Sequence, residues 1–493
     1  MKTFKSILSA LLLTLTTGLL VYFGSSFLSQ NMAQPLQDYI PPVVTISPTL
    51  NQSFVEDTNT TLANAETKLI RFSVASDNNY FIKNSLNKQS GYFYAELKAG
   101  QYLPDPNKKR TPLNISLVID RSGSMEGDKI AYVKKAASFV VDNLSPEDYL
   151  SIVIYDTEVK VLYPSSKIIN KQQVKMLINT IESDGSTNLS GGMIDGFKEV
   201  KSTFKPGFMN RVLLLTDGLA NQGITEPNRL EAIVASRLKD ESISLSTFGV
   251  GNDYNEDLLQ NLAEFGSGNY YFIASPDKIP GIFQKEMKGL LSVVAQNTKL
   301  MIDLPLEASL DKVYGYPYTY SNHQIGINFK DLFSEETKAV LIKYNVPPNF
   351  NKTFEIKAHL KYDDATMESV PAIASVLSSE VKGTILEADR EQGSNKFVLQ
   401  QIALFESNEK MDEAIKAVDK GEYEKARKIV SENEVYLKEK RMKLPGSYEL
   451  QRQDSINQNY AKSIQRAETM SKDDMKMMQK CNKSLNYEVR KKK

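Results

Sequence analysis

The stretch SLVIDRSGSMEG, residues 116–127, decides how the chain is read. A run of branched apolar residues ends in an acid, two serines and a glycine. Such a strand end is a helix cap, a nucleophile site or a metal site, and its surroundings must choose. Upstream the run extends to NISLVID, which reads as a strand. Downstream, apolar residues recur at helical spacing over 128–143. The alternation then continues. Strands are expected at 114–119, 149–155, 211–215, 244–250 and 269–273. Helices are expected at 128–143, 171–181, 189–204, 226–240, 255–265 and 276–290. Strands alternating with helices predict a parallel sheet with helices on both faces. TEVKVLY, residues 157–163, follows a strand too closely for a helical crossover, so it is expected to pair antiparallel at the edge.

The pattern differs on either side of this α/β unit. From residue 292 the segments NTKLMIDLP, HQIGINF, TKAVLIKYNV and TFEIKAHLKY are strand-like, with turns between them. They predict an antiparallel β-sandwich ending near Val376. Two earlier strand-like runs, KLIRFSVAS and GYFYAELKA, lack partners of their own and are expected to join it. The α/β unit is then an insertion. Residues 395–440 read as a helical hairpin broken at Gly421, followed by more helix and a basic RKKK end, expected to be solvated. The expected organisation is a segment 1–33, a linker 34–66, a β segment 67–112, the α/β domain 113–291, the sandwich 292–380 and a helical region 381–493. A length of 493 residues suits about three domains.

Lys+Arg and Asp+Glu both number 60, a balance that argues against a general nucleic-acid binder. The start of the chain stands apart. Lys2 and Lys5 precede residues 7–28, 22 residues without a charge. A basic start before an apolar run is an export signal peptide or an N-terminal membrane anchor. The length favours an anchor, whereas Ala33 offers a cleavage position. Either reading puts the rest of the chain on the extracytoplasmic side, in the cell envelope or beyond it. Cys481 is the only cysteine, so no internal disulfide is expected.

Asp120, Ser122 and Ser124 fall just past the carboxyl end of the first strand of the α/β unit. In open parallel sheets that edge is where ligands bind. Two further fragments reach it: DGSTNLSGG with Thr187, and LLLTDGLAN with Asp217. Together they offer three hydroxyls and two carboxylates. Oxygen donors suit Mg²⁺, Mn²⁺ or Ca²⁺ rather than zinc or copper.

Asp120-x-Ser122-x-Ser124, Thr187 and Asp217, in that order, resemble the metal-ion-dependent adhesion site of von Willebrand factor type A domains. FGVGNDYNEDLLQNLAEFGSGNYYF, residues 248–272, is similar to that family's last strands and intervening helix. The resemblance covers about 113–290. It implies a Rossmann-like domain in which Ser122, Ser124 and Thr187 bind the ion directly, and Asp120 and Asp217 act mostly through water or one of them binds directly when no ligand is present. Such an ion keeps uncompensated positive charge, so an acidic side chain of a protein partner completes its coordination. It also implies coupling between the ion and the domain's last helix, here 276–290. The flanking β segments and ASLDKVYGY, residues 308–316, carry a weaker likeness to exported proteins grouped with calcium-activated-chloride-channel regulators and inter-alpha-trypsin-inhibitor heavy chains.

A nucleophile reading of Ser122 or Ser124 lacks a base, because His323 and His359 fall in the expected sandwich; no enzyme activity is expected. Glu126 and Asp128 offer a second cation site, but fit better as acids at the positive end of the following helix. Nucleotide binding lacks a phosphate-loop lysine. Two functions remain: an adhesion-type, metal-dependent protein-binding module, or a scaffold or regulatory subunit of a cell-envelope membrane complex. Arg121, a basic residue inside an oxygen-donor motif, has no explanation in the sequence.

Overall fold

The computed structural model describes residues 63–66, 69–102, 110–366 and 372–491. The apolar segment 7–28 lies outside them. No helix among the described residues is long and apolar enough to cross a membrane.

Four strands come first: β1 (Ala63–Glu66), β2 (Ile70–Ser76), β3 (Tyr80–Ile82) and β4 (Gln89–Ala99). The α/β unit follows. Its strands are β5 (Leu113–Asp120), β6 (Tyr149–Tyr155), β7 (Val159–Lys167), β8 (Met209–Thr216), β9 (Ser244–Val250) and β10 (Ser267–Ile273). Its helices are α1 (Asp128–Asn143), α2 (Lys171–Asn179), α3 (Leu189–Ser202), α4 (Pro227–Glu241), α5 (Glu256–Phe265) and α6 (Ile279–Leu291).

These strands form one sheet in the order β10-β9-β8-β5-β6-β7. All neighbours are parallel except β7, which pairs antiparallel with β6 as the edge hairpin. Every residue of β5 is buried, because helices cover both faces. Ile115, Leu117 and Ile119 pack with α1, α2 and α6 on one side. Val118 packs with α3, α4 and α5 on the other. The chain leaves β5 toward β6 on one side and later returns to β8 on the other. The switch point of strand order therefore lies beside the end of β5.

Seven strands come after the unit: β11 (Val293–Asp303), β12 (Ser309–Tyr314), β13 (Thr319–Ser321), β14 (Gln324–Phe333), β15 (Thr337–Val346), β16 (Phe354–Asp364) and β17 (Ala372–Thr384). They share two sheets with the early strands, ordered β1-β2-β4-β15-β12 and β13-β14-β11-β16-β17-β3. The alternating apolar residues of both sheets meet in one core, with Phe72, Phe93 and Leu97 facing Leu300, Ile356 and Leu360. The α/β unit is thus spliced between β4, central in one layer, and β11, central in the other.

Three details depart from the sequence reading. Residues 63–66, assigned there to a linker, pair antiparallel with β2, from Ala63↔Val74 to Glu66↔Arg71. β17 runs past Val376 to Thr384, because its last residues gain a parallel partner in β3. Of the basic end, the described residues Arg490 and Lys491 are packed against the rest of the chain. Arg490 pairs with Glu264, and the Lys491 ammonium donates to the Gly315 carbonyl at 3.1 Å.

That end belongs to the helical region: α7 (Glu387–Gln392), α8 (Lys396–Asp419), α9 (Tyr423–Lys443), α10 (Tyr448–Arg466) and α11 (Lys472–Lys491). Gly421, at φ +74°, turns the chain between α8 and α9. α8 packs Val398, Ile402 and Phe405 onto the outer face of β4 and β15. α11 lies on the α/β unit. Tyr487 packs edge-on against Tyr270, and Lys480 and Lys483 both bond Glu256. The helices therefore bridge the sandwich and the α/β unit.

A second joint is buried. Arg211, at the start of β8, pairs with Glu286 of α6 at 3.0 Å and with Asp331 of β14 at 2.9 Å. Glu286 also accepts from Ser246 at 2.6 Å, Asn269 at 2.7 Å and Tyr271 at 2.8 Å. Burial opposes its charge, but Arg211 and these donors outweigh burial and hold the carboxyl below its usual range.

Candidate metal centre

The end of β5 delivers Asp120, and β8 ends on Thr216 just before Asp217. Both carboxylates are fully buried. Asp120 accepts from the Ser122 backbone N–H at 2.8 Å and from the Thr216 hydroxyl at 2.5 Å. The first bond folds the chain back over the strand end. It places the Ser122 hydroxyl 3.2 Å from that of Ser124. The Ser124 hydroxyl donates to Asp217 at 2.6 Å, tying the first loop to the third. Burial pushes the Asp120 carboxyl up to about 6; Ser122 and Thr216 pull against this, and nearby Asp217 adds to the rise.

Thr187 comes from the loop before α3, and two glycines explain its position. A Cβ at Gly192 would lie 2.4 Å from Tyr155, and one at Gly196 would lie 2.4 Å from Val118. Only glycine lets α3 approach the sheet so closely. The Asn188 side chain caps that helix through Gly191 N–H, and its own N–H donates to the Asp156 carbonyl at 2.8 Å. Thr187, one residue earlier, is held by Asn221, whose side chain accepts its N–H at 2.9 Å. A Cβ at Gly218 would lie 3.4 Å from Thr187 Oγ1 and 3.7 Å from Ser124 Oγ. The two hydroxyls thus flank a single point beside Asp217.

All five residues singled out in the sequence therefore gather at one edge, at the switch point. Four are buried and Ser124 is exposed, so the cluster is reached from solvent along one side. Its donors are hydroxyl and carboxylate oxygens, a set that fits a hard divalent cation. Among the described residues no group of three or more His, Cys, Asp or Glu is placed to hold a metal, so an ion here would depend on the hydroxyls. The two histidines lie in the sandwich region, where His359 bonds Asp303 at 2.8 Å.

Sequence reasoning missed several supports. Thr216 locks Asp120; its position directly before Asp217 was the available signal. The Lys129 ammonium, on the first turn of α1, donates to Asp217 Oδ2 at 2.5 Å and to the Ser124 carbonyl at 3.1 Å. Arg121 now has an account. It pairs with Asp156 in the β6–β7 turn and donates to the Glu182 carbonyl at 3.1 Å. The Asp184 N–H returns a bond to the Arg121 carbonyl at 2.8 Å. Arg121 thus staples the first motif loop to the loop that carries Thr187.

The family model of the von Willebrand factor type A domain matches residues 114–285. YfbK, an uncharacterized protein of Escherichia coli (strain K12), is 32% identical over 192 residues, 38% of this chain and 33% of its own length. Inter-alpha-trypsin inhibitor heavy chain H3 of Rattus norvegicus is 26% identical over 267 residues, 52% of this chain and 29% of that protein. The chain thus spans about a third of the length of these relatives. The solved structure of a von Willebrand factor type A protein from Catenulispora acidiphila superposes with a TM-score of 0.63 at 15% identity, covering 83% of this chain and 91% of that one. That likeness concerns the fold and extends beyond the α/β unit. With its sheet order, its covered faces and its matched sequence, the segment 114–285 is a von Willebrand factor type A domain.

Proposed function

We propose that the chain is an extracytoplasmic, metal-dependent protein-binding module. Ser122, Ser124 and Thr187 hold a divalent cation, Mg²⁺ by preference and otherwise Mn²⁺ or Ca²⁺, while Asp120 and Asp217 act mostly through water. Domains of this family mediate metal-dependent protein interactions. One observation carries the reading here: the Ser122, Ser124 and Thr187 hydroxyls converge beside buried Asp217 on a solvent-reached edge. Asp217 polarises the Ser124 hydroxyl that donates to it, and Asp120 holds the Ser122 backbone in place. An ion bound mainly by neutral oxygens retains charge for an acidic residue of a partner. The basic start before residues 7–28 supports export, and an uncleaved segment would tether the module to a membrane.

The test uses the full-length chain in Mn²⁺ calorimetry beside Asp120→Ala and Ser124→Ala. One bound ion is expected in the parent chain, with affinity lowered at least tenfold in either variant. Unchanged binding in both variants would remove this edge as the metal site. A second reading, a scaffold or regulatory subunit of an envelope complex, draws on α8–α11, which pack on both the sandwich and the α/β unit. Co-purification with membrane proteins that survives chelation would favour it.

A further inference from the structure

We propose that Lys129 is a built-in cation of the metal edge, trading affinity for the ion against affinity for an anionic partner group. The proposal rests on the metal-dependent reading above and deepens it. Asp217 is fully buried and its two oxygens are divided: Oδ1 accepts from the Ser124 hydroxyl at 2.6 Å and Oδ2 from the Lys129 ammonium at 2.5 Å. The ammonium also caps the Ser124 carbonyl at 3.1 Å, so it is fixed on two elements of the site. Its side chain is about a quarter exposed. Gly251, at the end of β9, faces it; even a Cβ there would stop 3.9 Å from the nitrogen. The absence of a side chain at that position leaves the charge on the rim where a docking residue arrives.

Charge counting gives the consequence. Asp120 and Asp217 contribute two negative charges and Lys129 one positive. A divalent ion then leaves the loaded site with one net positive charge. With a neutral residue at 129 the same ion leaves it neutral. The other charges nearby, including the Arg121–Asp156 pair, are common to both cases and cancel. Lys129 therefore repels the incoming ion and attracts the carboxylate that follows. Removing it moves the two affinities in opposite directions. A residue that only oriented Asp217 would move them together.

The experiment compares the full chain, Lys129→Met and Lys129→Arg. Mn²⁺ affinity is read by calorimetry. Acetate, the simplest carboxylate probe, is read by the relaxation of its protons at the Mn²⁺-loaded protein. Lys129→Met is expected to bind Mn²⁺ on the order of tenfold more tightly and acetate on the order of tenfold more weakly. Lys129→Arg is expected to match the parent. Equal or weaker Mn²⁺ binding by a folded Lys129→Met overturns this proposal alone. Absence of Mn²⁺ binding from all three chains overturns the metal-dependent reading and this proposal with it.

Discussion

Replacing Arg211 with Met tests whether the buried joint between β8, α6 and β14 sets how firmly the domain's last helix is held. The change keeps most of the stem and deletes the cation. Glu286 and Asp331 remain, with side chains 1% and 4% exposed. Removing one member of a buried ion pair costs about 3–5 kcal/mol. Two observations place this case at the lower end. Glu286 keeps its three neutral donors, Ser246, Asn269 and Tyr271. Arg211 also lines a cavity of about 150 Å³ between the domain, the sandwich and α11, large enough for water to solvate Asp331. A loss of about 3 kcal/mol is the expectation, roughly a hundredfold shift in a local opening equilibrium. Hydrogen exchange read by mass spectrometry on the full chain is the assay. Protection in α6 and β14 should fall by about that factor, while the α9 peptides serve as reference. A fall below about fivefold in α6 would refute the reasoning, since the ion pairs would then contribute little to seating the helix. Adding Glu286→Gln and Asp331→Asn to Arg211→Met should restore part of the loss, because neutral amides leave no stranded charge while an acceptor remains for Ser246, Asn269 and Tyr271.

The other expectations concern the metal edge and the helical strap. Asp120→Ala and Ser124→Ala should each lower Mn²⁺ affinity, and Lys129→Met should raise it, as read by the titrations already described. Arg121→Ala should weaken Mn²⁺ binding about fivefold and speed exchange in 182–188, since a partly exposed pair is worth about 1 kcal/mol; unchanged exchange there would show that the loop holds itself. Glu256 is buried enough to disfavour its charge, but Lys480 and Lys483 outweigh burial and hold it down to about 2. Its folded value lies below the ordinary 4.5, so its contribution is full above about pH 4.5 and lost as pH falls toward 2. Glu256→Gln should therefore flatten the acid limb of thermal stability between pH 5 and about pH 2, and an unaltered slope in a Tm series would count against the strap.

What the sequence made legible follows from which forces act locally. β6 and β9 have the bounds read from their apolar runs, and α1 those read from its periodicity, because each signal sits within one element. That Asp120, Ser122, Ser124, Thr187 and Asp217 would gather at one edge was legible as well, since three loops carry them in short fragments. Their supports were not. Arg211 meets partners 75 and 120 positions away, and Lys129 meets Asp217 across 88. No local pattern marks such a pair. Arg121 was unexplained for the same reason: its partner Asp156 arrives from the β6–β7 turn. The RKKK end was misread because a run of charge at a terminus usually meets water. Here the last turn of α11 sets Arg490 and Lys491 against Glu264 and Gly315.

The splice of the domain into the sandwich has a mechanical meaning. A partner held at the metal edge and then pulled would load the rest of the chain through two tethers, one at β4 and one at β11. Only Ser292 separates α6 from the second. Neither tether is an edge strand: β4 is flanked by β2 and β15, and β11 by β14 and β16. Tension therefore enters the middle of both layers at once, where ladders on each flank share it, rather than peeling an outer strand. The sandwich acts as a two-point mount, so traction applied at the β5–β8 edge would reach it without first unravelling the layer that anchors the domain.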